Sequence, residues 1–121
     1  MASESLERKT RNFAIKQRKN KSYPAVVVGA EKSRSKNVDK SGLLNSSEMV
    51  KKLKVKLKTI GDLYTRVNGN SIGCCAEVNA ANRLLKKKPY LNLNDIIFSS
   101  PIRPRTMQKV KVCKNCRITF S

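Results

Sequence analysis

The stretch Gly-Cys-Cys-Ala-Glu-Val-Asn-Ala at residues 73–80 opens the clearest helix pattern in the chain. Apolar side chains recur from here at helical spacing, at Ala76, Ala80, Leu84 and Leu85. The lysines at residues 86–88 complement the negative end of a helix dipole, and a proline follows them. We therefore predict a helix over residues 75–88 that begins at a cysteine.

Four cysteines are arranged as an adjacent pair, Cys74 and Cys75, and a Cys-x-x-Cys pair, Cys113 and Cys116. Successive residues point to different faces of a helix or strand, so the adjacent cysteines cannot easily both reach one metal ion. The two-residue gap lets Cys113 and Cys116 reach the same metal across one helical turn. We predict a Zn²⁺ cofactor held by Cys75, Cys113 and Cys116, with a fourth position open to water as in catalytic zinc sites.

Other uses of these cysteines stay open at this point. Four cysteines can form two disulfides in a secreted protein. A Cys-x-x-Cys pair can also be a redox motif. A purely structural zinc site would require Cys74 as a fourth ligand beside Cys75.

The residues around Cys75 and Glu77 resemble the cytidine deaminase-like superfamily, whose zinc enzymes carry H-x-E followed by P-C-x-x-C. Cys75 stands in the place of the histidine, and residues 73–80 look like the Cys-Ala-Glu form of the YwqJ-like deaminase domains of bacterial polymorphic toxins. The resemblance spans residues 72–117 best, and residues 23–29 look like the family's opening strand. It implies a compact three-layer α/β domain with a small mixed sheet flanked by helices.

The resemblance also implies an activity, which is hydrolytic deamination of cytosine or adenine. In such enzymes zinc activates a water molecule, and a glutamate that does not bind the metal transfers the protons. Glu77 holds that position here. The family further implies the toxin domain of a secreted bacterial effector that acts in the target-cell cytoplasm, with a cognate immunity protein that we expect to be acidic. Since no apolar signal region opens the chain, we expect another segment of a longer parent to direct export.

The strong positive charge indicates the class of partner. Lys and Arg total 27 against 8 Asp and Glu, a formal net charge of +19 on 121 residues. Such a field favours a polyanion, with DNA or RNA as the first candidate and an acidic protein as the second, although a merely solvated basic surface stays possible. Three Tyr, three Phe and no Trp make phosphate contacts more important than stacking. With no run of about 18 apolar residues, we expect no membrane partner.

Two segments are predicted along the chain. Residues 1–22 are basic with scattered apolar side chains and predict an N-terminal arm or linker that can contain a short helix. Residues 23–121 form the predicted zinc-dependent deaminase-like domain. Its first element is a valine-rich strand at residues 25–29, buried on both faces, followed by a polar loop at residues 31–42.

The remaining elements follow from local signals. Asn45 and Glu48 form a predicted capping box, which favours a helix over the competing strand-like alternation of residues 53–58. Asn68-Gly69 predicts a two-residue hairpin turn. A buried strand is predicted at residues 95–99, a basic loop between two prolines after it, and a short helix over residues 113–120.

Two alternatives to an enzyme stay open. The chain could be a non-enzymatic, zinc-stabilised nucleic-acid-binding module, or a catalytically decayed deaminase fold used for protein interaction.

If the chain is an enzyme, the polar residues near the Cys75 and Glu77 motif are candidates for positioning a substrate; they are Asn68, Asn70 and Asn79.

Overall fold

The computed structural model of the protein describes residues 2–21, 23–32 and 34–121. Its α-helices are α1 (Glu4–Lys19), α2 (Lys51–Lys58), α3 (Ala76–Lys87) and α4 (Lys114–Thr119), with 3-10 helices at Ser46–Glu48 and Leu93–Asp95. Its strands are β1 (Val27–Lys32), β2 (Ser35–Lys40), β3 (Arg66–Val67), β4 (Asn70–Ser71), β5 (Ile97–Phe98), β6 (Ile102–Arg103) and β7 (Gln108–Lys109). No helix within these ranges has the length and apolar character needed to cross a membrane.

Strand β1 is the centre of a five-stranded sheet with the order β2-β1-β6-β7, and β5 also pairs with β1. Val27 lies opposite Lys40 on one edge of β1 and opposite Ile102 on the other, while Ala30 lies opposite Phe98. Every strand pairing in the described part of the chain is antiparallel, where the sequence predicted a mixed sheet. Short connections such as the β1–β2 and β6–β7 turns permit only antiparallel neighbours.

Alternate residues of β1 face different layers, because successive side chains of a strand point to opposite faces. Val28 and Ala30 belong to the main apolar core with α2 and α3. Val27 instead packs with Ala14 of α1 on the opposite face. The predicted three-layer α/β architecture is therefore confirmed, and so is the strand buried on both faces.

Helix α1 forms the outer layer on the second face of the sheet. Leu6, Thr10 and Ala14 are fully buried, and Gly29 of β1 allows the close approach, since a Cβ there would lie 2.6 Å from Thr10 Oγ1. The segment predicted as an arm or linker (residues 1–22) is therefore mostly a helix that packs on the sheet. Its boundary at residue 22 lies outside the described residues.

The second predicted helix begins later than its capping signal. The Asn45 side chain caps the 3-10 helix Ser46–Glu48 by accepting from the Ser47 N–H. Helix α2 then begins at Lys51, so the preference for helix over strand in residues 53–58 is confirmed.

The structure contains one hairpin turn that the sequence predicted, and it also contains strands in segments that were predicted as loops. Asn68 and Gly69 have φ values of 54° and 82° and form the predicted turn between β3 and β4, because both residue types tolerate positive φ. The segment predicted as a loop at residues 31–42 instead contains the end of β1 and all of β2, and the stretch between Pro101 and Pro104 contains β6, which pairs with β7 beyond the second proline. Strands β2 and β7 lie at the two ends of the strand order and carry mainly polar side chains, so they lack an apolar strand pattern.

Candidate metal centre

Three cysteines from two distant parts of the chain converge at one point. The sulfur atoms of Cys75, Cys113 and Cys116 all lie within 4.8 Å of one another, and the first two are 3.3 Å apart. Sulfurs arranged tetrahedrally around zinc at about 2.3 Å are about 3.8 Å from one another. The cluster can therefore hold a metal ion, and its donor set is compatible with zinc.

Two helix N-termini position these thiols. Cys75 is the N-cap residue of α3, and Cys113 is the N-cap residue of α4, where its sulfur accepts from the Cys116 N–H at 3.4 Å. The positive end of a helix dipole favours thiolate over thiol. Cys116 follows in the first turn of α4 and is almost fully buried, so the cluster is closed on that side.

The three cysteines shift one another's pKa values in a way that favours ionisation of Cys113 over the other two. Hydrogen bonds from the Cys116 and Cys75 thiols lower the pKa of Cys113 to about 3, helped by the backbone N–H groups at the start of α4. The contact with Cys113 raises the pKa of Cys75 to about 12, and the same contact raises the pKa of Cys116. Without a metal, the cluster therefore carries one thiolate and two thiols at neutral pH.

Glu77 lies in the first turn of α3, two residues after Cys75, and is only 4% exposed. Burial raises the pKa of its carboxyl to about 7; its own backbone N–H opposes this rise, and the nearby charge of Cys113 adds to it. A carboxyl with such a pKa can both accept and donate a proton near neutral pH. Its role as catalytic residue stays a prediction.

A cavity of about 380 Å³ opens beside the cluster. Cys75, Glu77 and Cys113 contribute to its wall, whereas Cys116 does not. Its volume lies within the range of about 300–1,000 Å³ that is typical of small-ligand sites. The basic residues that line it are Arg66, Arg103 and Lys111. We call this space the metal cavity.

Asn115 lies inside the Cys-x-x-Cys turn and fixes this turn to the β3–β4 hairpin. Its side chain is 3% exposed; its amide nitrogen donates to the Val67 carbonyl at 2.8 Å, and its oxygen accepts from the Asn68 amide at 2.8 Å. This residue was not predicted from the sequence, where its one signal is an amide between the two cysteines of the Cys-x-x-Cys pair. Asn115 orients the turn that carries two of the three thiols.

The other predicted residues have separate places. Cys74 lines the metal cavity but lies outside the three-sulfur cluster. Asn70 also lines the cavity, whereas the Asn79 amide donates to the carbonyls of Lys40 and Gly42. Among the three predicted asparagines, Asn70 is thus the one placed to meet a ligand.

Comparison of the chain with protein-family models, with curated proteins and with solved structures found no match. The cluster and its cavity therefore carry the functional argument.

Proposed function

We propose that this protein is a zinc-dependent hydrolytic deaminase that acts on cytosine or adenine in nucleic acid. The observation that carries the proposal is that a buried glutamate and two thiols of the three-cysteine cluster line the wall of one cavity. The Cys-Ala-Glu and Cys-x-x-Cys resemblance supplies the reaction class. Three protein ligands leave one coordination position open, which is the arrangement of catalytic rather than structural zinc.

The residues of the chain have distinct roles in this proposal. Cys75, Cys113 and Cys116 would hold Zn²⁺, which would supply an activated water as the nucleophile. Glu77 would take up one proton and pass it to a ring nitrogen of the base, and would then take a second proton from the added hydroxyl and pass it to the departing amine, so that one water is consumed and one ammonia is released. The burial that raises the pKa of Glu77 suits a group that must both take up and release a proton.

The charge of the chain supports a polymeric substrate over a free nucleoside. The net charge is +19, and the metal cavity itself is lined by Arg66, Arg103 and Lys111. Cationic side chains at the mouth of a cavity bind phosphates next to the base that enters it. We further propose, from the family resemblance, that the domain is the toxin part of a secreted bacterial effector, acts in the target-cell cytoplasm and is neutralised by an acidic immunity protein.

The test is to incubate zinc-loaded protein with single-stranded and double-stranded DNA and RNA and to sequence the products. Glu77→Gln, which keeps the side-chain volume, is compared with Glu48→Gln, an exposed glutamate outside the cavity. We expect C-to-T or A-to-G changes that fall by about 10²- to 10⁴-fold in Glu77→Gln, the usual contribution of a general acid–base. Glu48→Gln should retain full activity, and zinc content should be equal in all proteins.

A second candidate is a zinc-stabilised nucleic-acid-binding module without catalysis. The favouring observation is that the cluster joins the N-termini of α3 and α4, as a structural metal would. This candidate predicts no base changes on any substrate, with equal nucleic-acid binding by Glu77→Gln and the unmodified protein. That result would overturn the deaminase proposal.

A further inference from the structure

A groove of about 690 Å³ adjoins the metal cavity. It lies between the start of α1, the residues after β5, the segment after β7 and helix α4. Pro101, Val110 and Lys111 line both the groove and the metal cavity. A ligand that extends out of the metal cavity past these residues therefore enters the groove.

The groove carries uncompensated positive charge. Lys109, Lys111 and Arg117 are exposed along it, and none of them forms an ion pair in the described part of the chain, where the ion pairs involve Asp39 and Glu48. The acidic residue in the groove wall is Glu7, whose carboxylate accepts from the Ser100 N–H at 2.9 Å. Closely spaced cations without acidic partners attract a chain of phosphates.

The wall of the groove is apolar between these cations. Phe98 and Val112 line it and are half-buried. The ring of Phe98 is held against Phe120 with ring centroids 4.8 Å apart, which fixes its position. Aromatic faces within a basic groove are the combination that binds unpaired bases together with their backbone.

We propose that this groove binds the backbone of a single-stranded nucleic acid next to the target base, whose own place is the metal cavity. This inference rests on the proposed function and adds the substrate class, a single strand several nucleotides long. Single-stranded substrate is favoured because the reacting base must leave any stacked duplex. The α1 layer contributes Glu7 to the groove wall, so the N-terminal helix helps to build the site.

The test compares two double variants with the same loss of charge. Lys109→Gln with Arg117→Gln removes groove cations, and Lys56→Gln with Lys58→Gln removes two cations of α2 that line neither the groove nor the metal cavity. Each is made in zinc-loaded protein that also carries Glu77→Gln, so that no turnover is needed. Binding of a fluorescent single-stranded oligonucleotide is measured by anisotropy over a range of salt concentrations.

We expect the groove variant to lower the slope of log affinity against log salt by about 1.4, which is two phosphate contacts at about 0.7 each. Its affinity should fall about tenfold at 0.1 M salt, while the α2 variant keeps nearly the full slope. Lys109→Arg with Arg117→Lys should restore binding, which shows that charge rather than folding is the cause. Equal slopes and equal losses in the two double variants would overturn the proposal.

Two further arms separate the possible occupants and the two proposals. Polyglutamate of equal charge should compete at least tenfold less well than the oligonucleotide; equal competition would mean that the groove takes any polyanion, and the proposal would be wrong. If base changes are found but the groove variant binds the oligonucleotide as well as the α2 variant does, the groove proposal alone would be wrong. If the groove variant binds the oligonucleotide less well but the protein that retains Glu77 produces no base changes, the deaminase proposal alone would be wrong.

Discussion

Helices α1 and α3 pack on opposite faces of the same strand, β1, but they differ in how much of each is buried. Nine of the 12 residues of α3 are buried, against three of the 16 residues of α1. The buried residues of α3 include Glu77, Asn79 and Asn82. Helix α3 thus contributes both to the apolar core and to the candidate site, whereas α1 packs on the outside of the sheet and exposes its charged side chains to solvent.

The polar groups of the two helices are used differently as well. Asn82 of α3 accepts from the Val50 N–H at 2.8 Å and donates to the Glu48 carbonyl at 2.9 Å, so it holds the segment that leads into α2. Thr10 of α1 is hydrogen-bonded to Ser99 Oγ at 2.8 Å. Asn82 thus satisfies two backbone groups of another segment, whereas the Thr10 contact with Ser99 joins two side-chain hydroxyls, so substitution of Asn82 should cost more than substitutions under α1.

Replacing a cysteine of the three-sulfur cluster should have the largest effect of the substitutions considered, and the property affected is zinc affinity. Cys116→Ala removes a buried ligand, and we expect zinc affinity to fall by more than about 100-fold, the upper effect of losing a group that only supports a ligand. Cys74→Ala is the matched control, because Cys74 lies outside the cluster and should keep about one zinc per chain. Metal analysis after dialysis measures both, and equal zinc loss in the two variants would contradict the assigned ligands.

Zinc affinity should rise steeply with pH, by about 100-fold per pH unit between pH 6 and 8. Zinc binds thiolates, and Cys113 is already ionised because its pKa is held at about 3. Cys75, with its pKa raised to about 12, and Cys116, with its pKa also raised, keep their protons throughout this range. Competition with a chelator measures the dependence. A slope of three protons, or of none, would show that the single thiolate is misassigned.

Asn82→Ala tests the connecting role of α3. It leaves the Val50 N–H and the Glu48 carbonyl without their side-chain partner, and we expect a loss of about 2–3 kcal/mol in the free energy of unfolding. Urea denaturation of the zinc-free protein measures this loss without a contribution from the metal. If Asn82→Ala lowers the free energy of unfolding by less than a substitution under α1, such as Gly29→Ala, the expected order of the two layers would be wrong.

Gly29→Ala tests the tight contact under α1. The new Cβ would lie 2.6 Å from Thr10 Oγ1 and 2.7 Å from Leu6 Cδ1, so these side chains or α1 itself must shift, at a cost of about 1–3 kcal/mol typical of overpacking. The same urea experiment applies, with Gly69→Ala unsuitable as control because its φ is 82°. Unchanged stability would mean that α1 is not a layer of the folded domain.

Glu48→Gln should have the smallest effect. The Glu48 side chain pairs with Lys86 of α3 at 2.8 Å, but both side chains are exposed, and exposed ion pairs contribute little. The hydrogen bond from Lys86 lowers the pKa of Glu48, so any stabilisation is present at neutral pH and disappears as the pH falls through that lowered pKa. We expect no change in Tm at pH 7. A clear decrease there would show that surface charge pairs hold α3 in place.

Sequence analysis predicted the α3 side of the molecule better than the α1 side, for a physical reason. The apolar stripe of α3, the Asn68-Gly69 turn and the spacing of Cys113 and Cys116 are local signals, and each appears in the structure. Whether these thiols bind zinc and whether Glu77 transfers protons stay predictions. The layers on the opposite side depend on contacts between residues far apart in sequence.

The residues of α1 and β2 show why those contacts could not be predicted. Helix α1 buries only Leu6, Thr10 and Ala14, too few large apolar side chains for a recognisable stripe. Strand β2 has Asn37 as its one buried residue, so it has no apolar alternation. Its strand conformation follows from pairing with β1 along six residues, a tertiary contact rather than a local preference.

The hydrogen bonds between Asn115 and the β3–β4 hairpin make the hairpin a reporter of the metal site. Since the Cys-x-x-Cys turn and the hairpin share these bonds, ordering one of them orders the other. Metal binding at Cys113 and Cys116 should therefore slow amide hydrogen exchange in residues 66–71, although none of those residues belongs to the cluster. A two-stranded ribbon that would be only marginally stable alone would thus become more rigid when a metal ion binds to the neighbouring cysteines.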